Sequence, residues 1–214
     1  RLTIADKTIT GFVVDVGAGD LRIKGYQEQS DIVVIANVFG DELNAEDYVL
    51  SLEKVDNKAM LMAHFKGNTH NNERIDLEIS MPYSLSLSVD DRSGDILIES
   101  IGNGLTLKDR SGDIEMNSIT GPIKIEDRSG DVIGEDLNGN VVIFDRSGDI
   151  QLKDITGDLD IDDSSGDIRV KSVSGIVTVE DSSGDINVKD AGDFVLKNDG
   201  SGEVYLKNIR KNLK

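Results

Sequence analysis

A hexapeptide recurs through the second half of this chain at an unvarying interval. DRSGDI begins at Asp91, Asp109 and Asp145, and DRSGDV at Asp127. DSSGDI follows at Asp163 and Asp181, and DGSGEV at Asp199. Each copy starts 18 residues after the one before. A fixed period near twenty residues marks a solenoid, in which each repeat buries its apolar face only by stacking on its neighbours.

One period shows how the coil is built. From Asp163, apolar residues fall at Ile168, Val170, Val173, Val177 and Val179. The coil from Asp145 places Ile150, Leu152, Ile155, Leu159 and Ile161 at the same positions, and the coil from Asp109 has Ile114, Met116, Ile119, Ile123 and Ile125. Pairs two apart follow strand alternation. Gly166 is echoed nine residues later by Gly175, as Gly148 is by Gly157 and Gly130 by Gly139. The predicted fold is all-β: a parallel β-solenoid, or β-helix, of 18-residue coils. Each coil has two short strands joined by two turns, near 166–171 and 175–180 in this example. Outward positions such as Arg169, Lys171, Thr178 and Glu180 are polar. Leu97, Ile133, Val142 and Phe144 are exceptions, and the last two are placed to form a small exposed apolar patch.

The hexapeptide suits a corner. Asp first and Gly fourth match type I turn preferences, the Asp side chain accepting a backbone N–H in its own turn and Gly supplying φ > 0. Stacked corners also bring like charges together. Strands stack roughly 4.8 Å apart, so Asp91, Asp109, Asp127 and Asp145 form one acidic column, and Asp95, Asp113, Asp131 and Asp149 another. Unit charges at that spacing repel by about 1 kcal/mol in water. Arg92, Arg110, Arg128 and Arg146 form a column between them and are the expected compensation. Ser164, Ser182 and Gly200 replace the cation in the last three corners.

The first ninety residues lack the strict period. DVGAGDLRI, from Asp15, reads as a degenerate copy of the corner, and residues 48–55 and 58–65 as a hairpin around Asp56-Asn57. Pro82 separates two alternating stretches and suggests a bend. Residues 1–90 are expected to form an irregular β cap continuous with the solenoid. Residues 91–214 are expected to form the regular stack of seven repeats, with a basic tail, KNIRKNLK, at its end.

Composition narrows the function classes. A net charge of −18 repels phosphate backbones, so no nucleic-acid partner is expected. The longest apolar stretch, residues 32–39, is too short to span a bilayer as a helix, so no membrane insertion is expected. The chain has no cysteine. Its many Asp pairs could in principle supply acid and base, but a catalytic dyad is needed once rather than seven times in register. His64 reads as a structural residue and His70 as a loop residue without metal-ligand spacing. No catalytic, cofactor-binding or metal-binding residue is assigned, and the chain is read as a non-enzyme; a carbohydrate-active β-helix enzyme is the remoter alternative.

Calcium is the sharper alternative. Two nine-residue halves per coil resemble the calcium-binding β-roll, and carboxylates suit Ca²⁺. The corners lacking Arg would hold it best, through Asp163, Asp167, Asp181 and Asp185. Each coil, however, has one acidic corner rather than two. Ice binding is disfavoured by the irregular outward row of Thr106, Lys124, Val142, Asp160 and Thr178, and the hexapeptide acyltransferase pattern by a subperiod of nine instead of six.

The stretch IDLEISMPYSLSLSVDDRSGDI, the recurrent SGDI and the earlier VDVGAGDLRIKG together resemble the bacterial adhesin-type family of β-solenoid domains of unknown function, DUF4097. The likeness covers nearly the whole chain, from about Phe12 to Ile209. It implies a right-handed parallel β-helix, export to the cell envelope, periplasm or surface after removal of a leader, and an adhesive role. A cell-surface glycan or protein is the partner it implies.

Overall fold

The computed structural model describes residues 1–41, 43–67 and 72–210. It is all-β, and its strands stack in parallel as the period requires. Seven strands precede the regular repeats: β1 (Leu2–Ile4), β2 (Gly11–Val16), β3 (Leu21–Tyr26), β4 (Ile32–Phe39), β5 (Tyr48–Val55), β6 (Lys58–Phe65) and β7 (Arg74–Pro82). The coils then run through β8 (Ser86–Asp90), β9 (Ile96–Ile101), β10 (Leu105–Lys108), β11 (Ile114–Thr120), β12 (Ile123–Glu126) and β13 (Val132–Asn138). They continue as β14 (Val141–Asp145), β15 (Ile150–Ile155), β16 (Leu159–Asp163), β17 (Ile168–Asp181), β18 (Ile186–Asp199) and β19 (Val204–Ile209).

Every pairing within the regular stack is parallel, and its register is one period except between β17 and β18, where Ile176 to Val179 pair 17 residues on. Ile114 lies between Ile96 and Val132, and Ile150 between Val132 and Ile168. On the other face Leu105, Ile123, Val141 and Leu159 follow one another in the same way. Ile114, Ile150 and Ile168 are fully buried, and one contiguous apolar core runs from Ile9 to Ala191. The aliphatic ladders inferred from spacing are therefore the interior of the molecule.

The second turn is made without a break in strand assignment in the later coils: β17 runs past Gly175, yet its first half pairs with β15 and its second with β16, with a register shift against β18 between Val173 and Ile176. The bend begins at Ser100, Ser118, Asp136, Asp154, Ser172, Asp190 and Asn208, all with φ between 55° and 60°. These left-handed residues put two consecutive side chains outward, which returns Ile101, Ile119, Leu137, Ile155 and Val173 to the core. Short polar side chains tolerate that conformation better than most. The three-residue step from Val170 to Val173 is the trace of this bend in the sequence. Gly157 and Gly175 answer to crowding rather than to dihedral angle: a Cβ on Gly157 would lie 2.4 Å from the Gly139 carbonyl oxygen, and one on Gly175 2.2 Å from an Asp158 carboxylate oxygen.

The N-terminal region enters the stack out of sequence order. β2 lies between β6 and β8, parallel to both, and β3 between β7 and β9. The first coil of the chain is thus the second rung of the molecule. Its corner, the degenerate copy at Asp15, has Gly19 at φ 134°, matching the glycines of the regular corners. The β5–β6 hairpin has the expected bounds and is antiparallel, as are β4 with β7 and β1 with β4. These antiparallel strands cover the end of the stack.

Candidate functional site

The first six hexapeptides make closely similar corners. The first Asp is buried: Asp91, Asp109, Asp127, Asp145, Asp163 and Asp181 are at most 4% exposed. Its Oδ1 accepts backbone N–H groups of its own turn, from Arg110 at 2.6 Å and Ser111 at 3.3 Å in the case of Asp109. The serine hydroxyl donates to the carbonyl one coil back, as Ser129 does to Arg110 at 3.1 Å. The glycine packs against the previous corner so closely that a Cβ on Gly148 would sit 1.9 Å from the Gly130 carbonyl oxygen. Its φ of 140° is a conformation that only glycine adopts readily.

The two acidic columns are accommodated differently, and neither by the arginines. The fifth-position acids form a ladder in which each Oδ1 accepts the backbone N–H of its counterpart one coil on. Asp131 donates to Asp113 at 2.9 Å, Asp149 to Asp131 at 2.8 Å and Asp167 to Asp149 at 2.9 Å. Peptide N–H groups supply the positive end of a dipole to every carboxylate, and hydrogen bonds to the charged form favour it. That bond, followed by the Arg169 guanidinium, holds Asp149 below the usual carboxylate range. The first-position column has no such donor at its second oxygen. Oδ2 of all six buried residues is enclosed without a hydrogen-bond partner among the described residues. Loss of hydration therefore pushes their protonation upward, with repulsion between stacked carboxyls adding to it. Asp91 is raised to about 8, Asp163 to about 7, and Asp109 and Asp145 to about 6.

The expected role of Arg92, Arg110, Arg128 and Arg146 is thus corrected. Their side chains form no ion pair or hydrogen bond among the described residues. The cation they were expected to supply is replaced by backbone dipoles in one column, while in the other burial pushes the protonation of the carboxyls upward. In the last three corners the N–H groups of Ser164, Ser182 and Gly200 donate instead to the Asp carbonyl one coil back, at 3.1–3.2 Å, so those turns close without a cation.

The expected calcium ligands do not converge. Asp163 and Asp181 are in the buried column, with Oδ1 bonded to the backbone of Ser165 and Ser183. Asp167 and Asp185 belong to the N–H ladder, and Asp167 also pairs with Arg169 at 2.6 Å. No group of three or more acidic, His or Cys side chains arranged to hold a metal occurs among the described residues. His64 is on β6 with its Nδ1 buried and without a hydrogen-bond partner among the described residues. His70 lies outside the described residues.

What the fold does assemble is a groove of about 580 Å³ along one edge of four successive coils. The buried column forms its floor, from Asp91 to Asp145. Arg110, Arg128 and Arg146 line one side, and Lys108, Lys124 and Phe144 the other. Register explains the second wall. Lys108, Glu126, Phe144 and Asp162 occupy one outward position and stack in that order. Glu126 is held between Lys108 at 3.2 Å and Lys124 at 2.5 Å. The Phe144 ring is 42% exposed, with the Lys124 ammonium 5.5 Å from its centroid. Phe144 and the arginines were visible in the sequence as separate irregularities. Their convergence was not, although the residue before each corner Asp could have been read as a column of its own.

No helix among the described residues is long and apolar enough to cross a membrane. No curated protein matches the chain. A crystal structure described as that of a "putative cell adhesion protein" from Clostridium sporogenes is similar over 96% of each chain, at 15% identity and a TM-score of 0.41. The Toastrack DUF4097 family model matches residues 1–135 and 136–209. A match over nearly the whole length, on a parallel solenoid whose corners carry the family's recurrent SGDI, identifies this chain as a member of the Toastrack DUF4097 family.

Proposed function

We propose that this protein is a non-enzymatic, exported, adhesin-like solenoid that presents a rigid surface for binding at the cell envelope. The observation that carries the reading is the groove: a continuous concave surface across four rungs, lined by side chains that leave the fold intact when absent. Corners with Ser164 or Ser182 in place of Arg still close, with Oδ1 of Asp163 and Asp181 accepting the N–H of Ser165 and Ser183, so an arginine side chain is not required to make a corner. The acids support the same conclusion. Each is one of a column in a repeated environment, and none is distinguished as a unique acid or base. The family membership is consistent with this reading, and a cell-surface glycan or protein is the partner class.

The test is a glycan array together with a panel of envelope proteins, probed with the labelled chain. Saturable binding that is lost when the groove arginines are replaced supports the proposal. A silent array, or turnover of a glycan abolished by substituting one Asp of a column while its stacked counterparts tolerate the same change, overturns it.

A further inference from the structure

The groove is unusual for so acidic a chain. Its walls carry five cations, Lys108, Arg110, Lys124, Arg128 and Arg146. Three carboxylates stand among them, Asp90, Glu126 and Asp162. Glu126 is already shared by two lysines, so it does not quench the arginines. Those arginines repeat once per coil, roughly 4.8 Å apart, and project unpaired from consecutive corners. Arg is the side chain suited to planar, bidentate recognition of carboxylate and similar oxyanions. Phe144 adds an exposed aromatic face of the kind that packs against a ring.

Resting on the binding role proposed above, we infer that this groove takes an extended anionic polysaccharide. Oxyanion groups on successive sugars meet Arg110, Arg128 and Arg146, and a sugar ring lies against Phe144. A neutral glycan leaves the three guanidinium groups unmatched, and a polycation meets like charge.

The floor adds a second property. With Asp91, Asp109, Asp127 and Asp145 protonated, the lining carries a net charge of +2; with all four ionised it carries −2. Their environment includes Asp90, and in the neighbouring ladder Asp95, Asp113 and Asp131, all of which oppose ionisation. Burial is the larger cause, and it keeps these carboxyls protonated above the ordinary Asp range. Affinity for a polyanion therefore falls as the solution becomes more alkaline.

The experiment is titration calorimetry of the whole chain with oligogalacturonate, dextran sulfate and unmodified dextran, at about pH 5.5 and about pH 8. Carboxylate and sulfate-ester arms separate the two sources of oxyanion. The principal variant is Arg110→Ser/Arg128→Ser/Arg146→Ser, which copies the natural corners at Ser164 and Ser182. A second, Arg110→Lys/Arg128→Lys/Arg146→Lys, keeps the charge, and Phe144→Ser removes the ring. Binding of at least one acidic polymer, stronger at the lower pH and weakened at least about tenfold by the serine variant but less by the lysine variant, is expected. Equal binding of unmodified dextran, or an acidic polymer held as tightly by the serine variant, overturns the anionic-ligand inference while leaving the surface-binding role standing. Failure of all three polymers to bind overturns it as well, and the binding role itself falls only if the array is silent too.

Discussion

Asp91→Asn probes the buried column most directly. Asp91 is fully buried, with Oδ1 accepting the Arg92 N–H at 2.6 Å and Oδ2 unpartnered among the described residues. Asn keeps the shape and the accepting oxygen but cannot ionise. In the folded chain the Asp91 carboxyl is raised to about 8 from its ordinary 3.8, first by loss of hydration and then by Asp109. The folded state therefore holds this proton more tightly than the unfolded chain. The resulting stability is whole below the unfolded value and is lost as pH rises through the folded one. At 1.36 kcal/mol per pKa unit, raising the pH from about 5 to about 8 removes about 4 kcal/mol through this one residue. The buried amide imposes its own cost of about 1–3 kcal/mol, but that cost is the same at both pH values and cancels in the comparison. Urea unfolding of parent and variant at each pH is the assay. The parent should lose about 4 kcal/mol more than the variant over the interval. If the two lose stability in parallel, Asp91 ionises as an ordinary carboxylate and the account of the column is wrong.

Four further outcomes are expected. Gly148→Ala, which forces a Cβ to within 1.9 Å of the Gly130 carbonyl oxygen at a φ of 140°, should cost more than about 3 kcal/mol or abolish folding; Gly67→Ala, at φ 84° with open space around it, should cost no more than about 2 kcal/mol by urea unfolding. Ile150→Ala should lose about 2–5 kcal/mol, because Ile150 is fully buried between Val132 and Ile168. Ser172→Val should cost about 1–3 kcal/mol, since a branched side chain is placed at φ 60°, and circular dichroism melts will show it as a lowered midpoint. Melting in chelator and in excess calcium should give the same temperature, because the corner carboxylates are already engaged with backbone N–H groups or buried; a calcium-dependent rise would restore the metal-stabilised alternative.

The regular coils were legible because their information is local and repeated. Ile168, Val170, Val177 and Val179 announce strand alternation, and seven copies of one corner announce the stack. The bend at Ser172 was less legible. A left-handed Ser looks like any other Ser, and only the three-residue step from Val170 to Val173 betrays it. The role of the arginines was misread for a different reason. Residues adjacent in sequence are not adjacent in charge environment when one side chain points into the wall of the coil and the next away from it. Asp109 and Asp113 are both Asp in one hexapeptide, yet one is enclosed and has its protonation pushed upward while the other joins a ladder of peptide dipoles. The groove was hidden likewise, since Phe144 meets Lys124 only once the coils are in register.

By itself, the sequence of this protein determined the winding: the period, the parallel stacking, the aliphatic interior and the glycine at each corner. Those follow from a periodicity that any two consecutive 18-residue stretches of the repeat region contain. Tertiary structure alone decided that β2 and β3 slip between β6–β7 and β8–β9, which corner carboxyl loses its water, and which outward side chains share a groove. Each of these depends on contacts between distant rungs, and dehydration and like-charge repulsion are properties of such contacts rather than of any residue in isolation.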